Sequence, residues 1–438
     1  MVMQQYDSYK PSGVEWIGQI PSHWKVRRLK HLFIGNTGVN ITKSDLEDEG
    51  YPVISYGQIH SKDNPGTSIV DDLIRYIPKD KIQNKAKAEY GDFIFADTSE
   101  DLEGCGNCVW IDRDTPLYAG YHTILLKSVE PIKSSYLAYL FRSDEWRGQI
   151  RSRVYGVKVY SITQTILSLT STLFPPLEEQ ERIAEYLDKR CAEIDGIINK
   201  EEQAIALLDE LKQTIISEAV TYGLDPAVPL KPSGVDWIGQ TPNHWEVRRL
   251  KYVVSCNDEV LSEMTPPSSV INYVEISDVT YINGIKGSTE YEFKDAPSRA
   301  RRITRVNDVI ISTVRTYLKA ITRVNEPDVI VSTGFAVLRA QSIDDLYLSY
   351  VVNSSGFIDD VVANSFGVTY PSITASKLIS LSVPLPPLEE QERIAEYLDR
   401  RCAEIDEAKE RKQRQIELLR EMKQTMISDA VTGRVKVF

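Results

Sequence analysis

The side chains best suited to hold a polyanion fall in two stretches of this chain. Arg299-Ala-Arg301-Arg302-Ile-Thr-Arg305 is followed by Arg315, Tyr317 and Lys319, just beyond an apolar run at Val309–Thr313. Guanidinium groups donate paired hydrogen bonds to phosphate oxygens and to guanine edges, which is chemistry a nucleic-acid reader needs. The matching stretch of the N-terminal half carries Lys79, Lys81, Lys85 and Lys87. Arg147, Arg151 and Arg153 then precede a turn at Gly156 that holds Lys158. The DNA-contact candidates are therefore Lys81, Lys85, Lys87, Arg151, Arg153, Lys158, Arg299, Arg301, Arg302, Arg305, Arg315, Tyr317 and Lys319. The plainer alternative is a solvated charged face.

Between these stretches, Thr98–Asn107 is acidic. Carboxylates accept from cytosine amino groups, yet several together beside phosphates are costly. Asp97, Glu100, Asp101 and Glu103 imitate a metal site on paper, but the second half has no echo of them, and a solvated loop is the favoured reading. Cys105-Gly-Asn-Cys108 is a single CxxC without the second pair or histidines that zinc requires. The five cysteines read as reduced thiols. No Gly-x-x-x-x-Gly-Lys-Ser/Thr, Gly-x-Ser-x-Gly or His-Glu-x-x-His occurs, and neither Pro175-Pro176 nor Pro386-Pro387 follows Asn or Asp. Catalytic and metal residues expected in this chain: none.

The chain has 438 residues, room for two domains or slightly more. Its 42% hydrophobic and 26% charged residues are those of a globular protein. No apolar run reaches the ~20 residues of a membrane helix, and the N-terminus lacks the order of a signal peptide, so a cytoplasmic location is expected. The net charge of −12 counts against tight DNA binding by this chain alone. A partner is expected to help.

The chain is written twice. YKPSGVEWIGQIPSHWKVRRLK, from Tyr9, recurs as LKPSGVDWIGQTPNHWEVRRLK from Leu230, and PPLEEQERIAEYLDKRCAEID, from Pro175, recurs almost unchanged from Pro386. The contents, about 31–153 and 252–364, are barely alike. Only anchors survive: Gly91-Asp92-Phe93-Ile94 against Asn307-Asp308-Val309-Ile310, and Gly156…Ser161 against Gly367…Ser372. Nearly identical frames around unlike contents suit one job done twice on two different targets. His23, Trp16 and Trp24, echoed by His244, Trp237 and Trp245, read as plugs fastening each domain to its spacer segment, in preference to direct contact with DNA.

Pro-Pro-Leu-Glu-Glu-Gln is a helix start: proline is tolerated in the first turn, and glutamates complement the positive end of the dipole. Only Gly196 interrupts the run to Thr221, and Leu388–Thr432 has no break. Helices of ~44 residues, roughly 65 Å, suggest a coiled coil. The 4–3 spacing puts Leu187, Cys191, Ile194, Ile198, Glu201, Ile205 and Leu208 on one seam. Leu398, Cys402, Ile405, Lys412, Ile416 and Leu419 form the other. An intramolecular antiparallel pair is expected, with Glu201 near Lys412 setting register. The contents read as α+β. Strands are predicted at Pro52–Tyr56, Phe93–Ala96, Thr123–Leu126, Asn272–Ile276, Val309–Thr313 and Val329–Val337, with helices near Ser134–Arg151 and Ile343–Val362.

These residues resemble one family: type I restriction–modification DNA specificity subunits. The resemblance spans nearly the whole chain, through the Ser12…Trp24 entry, the Gly156 and Gly367 turns and the Pro-Pro-Leu-Glu-Glu-Gln-Glu-Arg-Ile starts, each present twice. It implies an α+β chain with two pseudo-symmetric α/β target-recognition domains separated by a long antiparallel two-helix coiled coil. The boundaries are 1–174 and 231–385 for the domains, 175–221 and 386–438 for the spacer helices and C-terminal tail, and 222–230 for the linker. It implies a non-catalytic subunit, each domain reading half of a bipartite site in double-stranded DNA. Two methyltransferase subunits would dock for adenine methylation, and restriction subunits would complete the complex. S-adenosylmethionine, ATP and magnesium would belong to those partners. Base-contacting residues do not transfer, because recognition domains vary freely. The competing readings are a stand-alone DNA methyltransferase or nuclease with fused recognition domains, and a coiled-coil adaptor that binds no DNA.

Overall fold

The computed structural model describes residues 5–14, 17–114, 116–129, 135–156, 158–280, 284–367 and 370–438. Trp16, Ser134 and Val157, which entered the sequence reading, lie outside them. Two compact units result: residues 1–201 with 414–438, and residues 202–413.

Both units use the same two sheets. In the first, one sheet orders its strands Phe33–Thr37, Thr123–Ser128, Phe93–Ala96, Cys108–Trp110, all antiparallel. In the second unit the order Val254–Cys256, Phe335–Ala340, Val309–Ser312, Ile321–Arg323 repeats it. The other sheet is mixed. Tyr51–Ile54 runs parallel to Leu117–Ala119, with Arg75–Ile77 and Lys87–Ala88 outside; in the second unit Val270–Val274 runs parallel to Val329–Ser332, between Thr289–Glu292 and Ala300–Ile303.

Alternation along the central strand explains the layering. Phe93 and Phe95 point into the core that holds the helices, while Ile94 and Ala96 point into the core between the sheets. Val309 and Ile311 split from Ile310 in the same way. The anchors before these strands are turn closures. Gly91 and Asn307 take positive φ (90° and 79°), where glycine and asparagine are best tolerated. Asp92 and Asp308 then accept from the backbone N–H three residues back, on Glu89 and Arg305.

Three sequence expectations need correction. Val329–Val337 is two strands in different sheets, Val329–Ser332 and Phe335–Ala340, because the chain turns at Thr333-Gly334. The expected helices at 134–151 and 343–362 are pairs: Tyr136–Arg142 with Asp144–Arg151, and Asp345–Asn353 with Ser355–Ala363. A buried serine makes each break, since Ser143 and Ser354 donate to the carbonyls of Leu140 and Val351 at the end of the preceding helix (2.7 Å each).

The long helices run Leu177–Tyr222 and Leu388–Thr432, and Gly196 is absorbed without a break. They pair antiparallel. In the second unit Lys212 meets Asp406 (2.6 Å) and Lys409 meets Asp209; in the first, Lys423 meets Asp195 (2.7 Å). Leu187, Cys191, Ile194, Ile198, Leu398, Cys402, Ile405 and Ile416 are buried, and Glu201, Ile205, Leu208, Lys412 and Leu419 half-buried. Burial pushes the thiols of Cys191 and Cys402 up, as inert seam residues should show.

The spelling of the frame has a direct cause. His23 Nε2 lies 2.7 Å from Glu179 Oε2, and Trp24 Nε1 donates to Glu179 Oε1 at 3.0 Å. Gln180 folds back to donate to the Pro175 carbonyl (2.9 Å). In the second copy His244 meets Glu390 (2.8 Å) and Gln391 donates to Pro386 (2.8 Å). Trp24 and Trp245 are fully buried against the helices of their own units. The histidine–tryptophan pair is a clasp on the helix start.

Candidate nucleic-acid interface

In the second unit the strand Val309–Ser312 ends in a loop held on three sides. Thr313 donates both its N–H and its hydroxyl to the Gly334 carbonyl (2.8 Å each), and its own carbonyl accepts from Ile373 N–H (2.8 Å). Val314 bridges to Ser372, and the Thr316 hydroxyl lies 3.0 Å from that of Ser365. The loop therefore sits against the Gly367 turn, more than fifty residues on in sequence. Arg315 and Lys319 both take left-handed φ (51°) on either side of a single helical turn, Thr316–Leu318. Strained non-glycine residues of this kind persist where surrounding structure over-determines them, and they concentrate at binding sites. The Arg315 guanidinium lies over the Tyr370 ring at 5.0 Å, and Tyr317, Leu318, Phe366 and Tyr370 are exposed.

The other arginines of the cluster are placed differently. Arg299 pairs with Glu275 (2.6 Å), and its carbonyl accepts from Thr333, next to Gly334, so it borders the same loop. Arg301 lies over Phe293 at 4.9 Å, and Arg302 is half-buried opposite Val331. Arg305 pairs with Glu259, which also takes Arg339 (2.6 Å); Arg339 reaches both oxygens of buried Asp308 (2.9 and 2.8 Å). These hydrogen bonds hold Arg339 well above its ordinary pKa. Its partners make it a brace of the fold.

The first unit builds the same scaffold with other chemistry. Ser161 pairs with Thr98 and Tyr160 with Ser99, and Ile162 N–H donates to Asp97 (2.7 Å), so the Gly156 turn again docks on the loop after the central strand. Here the loop is acidic. Asp101 accepts from Gly104 N–H (2.6 Å), and Asp97 lies 3.3 Å from His122 Nδ1. His60 Nε2 contacts the Thr98 carbonyl (2.8 Å), and its Nδ1 faces Asn107 (3.1 Å). The Tyr56 ring touches His60, Tyr121 and His122, with centroids 5.7–6.1 Å apart. Lys85 joins Asp97 and His122 around a cleft of about 620 Å³, and Arg147, pulled down to about 10 by burial, lines a neighbouring one with His60 and Asn107.

The remaining lysines and arginines take separate places. Lys81 pairs with Asp45 at 3.0 Å, and Lys87 is half-buried in its strand. Arg151 pairs with Asp144 (2.9 Å) and donates to the Glu103 carbonyl (3.0 Å), tying the acidic loop to its helix. Arg153 and Lys158 are exposed beside the Gly156 turn.

The profile of the family described as "Type I restriction modification DNA specificity domain" matches residues 21–207 and 242–418. The chain belongs to this family. As a specificity subunit it is a recognition component and not the catalytic one, and its two matches cover the two repeats. It is 26% identical over 443 residues to the MjaX type I restriction enzyme specificity subunit of Methanocaldococcus jannaschii, covering 96% of each chain. It is 22% identical to the StySPI specificity subunit of Salmonella potsdam, over 95% of this chain and 90% of that one. Among solved structures, a chain from work on assembly and conformational transition of the type I R-M system superposes with a TM-score of 0.68. That match has 22% identity and covers 94% of this subunit and 98% of that chain. The HsdS subunit from Thermoanaerobacter tengcongensis gives 0.50, also at 22% identity, over 95% and 98%.

Sequence reasoning missed Phe366 and Tyr370 of the second unit, and Tyr56, His60, Tyr121 and His122 of the first. One signal was available: an aromatic residue stands immediately before the Gly156 and Gly367 turns in both copies.

Proposed function

We propose that this specificity subunit selects a bipartite target in double-stranded DNA, each recognition domain reading one half, and docks two methyltransferase subunits for adenine methylation. The observation that carries this is the contrast within the repeat. The two four-stranded sheets match strand for strand between the copies, yet the loop docked on the glycine turn is Arg315–Lys319 in one and the acidic Asp97–Asn107 in the other. Recognition residues belong on loops positioned by a rigid scaffold. On this reading residues 1–174 and 231–385 are the recognition domains, and 175–221 and 386–438 the spacer helices with the C-terminal tail, linked through 222–230.

Docking has its own support. Leu207 and Leu211 on the first long helix, and Leu418 and Met422 at the same places on the second, are exposed one turn apart. S-adenosylmethionine, ATP and magnesium then reside in methyltransferase and restriction subunits, in the cytoplasm. Among the described residues no helix is long and apolar enough to cross a membrane.

The test is methyl transfer from labelled S-adenosylmethionine to DNA by the chain alone, by the methyltransferase subunits alone and by the co-purified complex. Transfer by the complex only is expected. Transfer by the isolated chain would show that it is itself the enzyme.

A further inference from the structure

Tyr155 and Phe366 occupy equivalent positions, one residue before the Gly156 and Gly367 turns, and are 87% and 73% exposed. A single exposed aromatic needs no explanation. Two at the same place, each beside a turn that both copies keep, do. Among the described residues neither ring stacks on another aromatic ring, so neither serves a core in that way.

The backbone at Phe366 is held from both sides, and the turn after Tyr155 is closely packed. Phe366 N–H donates to the Ser372 carbonyl (2.8 Å), and its own carbonyl accepts from Ser372 N–H (2.9 Å), closing a short loop whose Gly367 takes φ +101°. At Gly156 a Cβ would fall 2.1 Å from the Val159 carbonyl oxygen, and Tyr160 and Ser161 pair with Ser99 and Thr98. A ring on such a base loses little conformational entropy on contact. Cations stand near both rings: exposed Lys158 and Arg153 are three and two residues from Tyr155 in sequence, with Arg153 donating to the Gln149 carbonyl, and Arg315, on Tyr370, is linked to the Phe366 segment through the Thr316–Ser365 contact.

We propose that Tyr155 and Phe366 are stacking wedges, each entering the base stack of its own half-site and filling the gap left when the target base is drawn out. This rests on the function proposed above. Apolar side chains inserted between base steps unstack DNA in this way, and phosphate-facing cations beside them hold the backbone in place. Methylation of an adenine inside a duplex requires that base to leave the stack.

The test uses the complex with its methyltransferase subunits and two sets of duplexes of the mapped target: unmodified ones for the methylation rate at each adenine, and ones carrying 2-aminopurine, which has no 6-amino group to accept a methyl, at one of the two adenines to report its leaving the stack. Phe366→Ala is expected to lower the fluorescence rise and the methylation rate at one adenine by at least tenfold. The other adenine stays at the wild-type rate, and Phe366→Tyr restores both signals. Tyr155→Ala should do the same at the opposite adenine, with Tyr155→Phe as its rescue. Unchanged melting of the free chain separates these effects from unfolding. Alanine variants that flip and methylate like an active wild type overturn the wedges alone. A wild-type complex that methylates no two-part target overturns the underlying function and the wedges together.

Discussion

Trp24→Ala will destabilise the first unit by about 3–5 kcal/mol, the range for truncating a large buried aromatic side chain. Three elements meet on this indole. It is fully buried, it donates to Glu179 at the start of the long helix, and it packs edge-on against Tyr136, with centroids 6.4 Å apart. Tyr136 in turn donates to the Val431 carbonyl at the end of the other long helix (3.0 Å). Alanine would leave a cavity and remove one partner of a buried carboxylate. Trp24→Phe keeps most of the volume and should cost roughly 1–3 kcal/mol, through the lost hydrogen bond and imperfect fill. Urea unfolding followed by circular dichroism measures both; because the chain has two units, the earlier transition is the one to follow. An unchanged transition for Trp24→Ala would mean the clasp is not what secures this frame. Exposed Tyr155→Ala is the control, expected within about 0.5 kcal/mol of wild type.

Exchanging residues 252–364 for the same segment of another family member will rewrite one half of the methylated target and leave the other half intact. The structure adds a condition to this exchange. The segment includes the helices Asp345–Asn353 and Ser355–Ala363, which face the frame: Tyr347 contacts the Val220 carbonyl (3.4 Å), and the Ser355 hydroxyl lies 3.0 Å from that of Ser217. A donor must bring residues that fill these places. With them, the frame strands Glu246–Arg249 and Ser382–Leu385 still pair, and the loop Arg315–Lys319 is replaced as a block. Long-read mapping of methylated adenines distinguishes the outcomes. Change in both halves would refute independent reading by two domains.

The repeated frame could be read from sequence because its residues act locally and twice. Pro-Pro-Leu-Glu-Glu-Gln announces a helix start through backbone rules alone, and the 4–3 spacing marks a seam whose positions prove buried or half-buried. The central strands were legible for a similar reason, since Phe93–Ala96 and Val309–Ser312 are apolar on both faces. The interface was not, because it is assembled from distant segments. Nothing in the spacing of Arg315 and Tyr370 foretells that one lies over the other, and Arg299 and Arg305, six residues apart, pair with different acidic residues. Arg339, spaced like any strand residue, proves to be a structural brace. Charge clusters mark where binding chemistry is available. Which members the fold uses for itself is decided by tertiary partners.

On the proposed function, one duplicated scaffold reads two different half-sites. The most direct measurement is a genome-wide map of methylated adenines in a host expressing this chain with its methyltransferase partners and no other adenine methyltransferase. One interrupted target, with two defined parts and a fixed gap, is the predicted result. A single continuous target, or no adenine methylation, would contradict it.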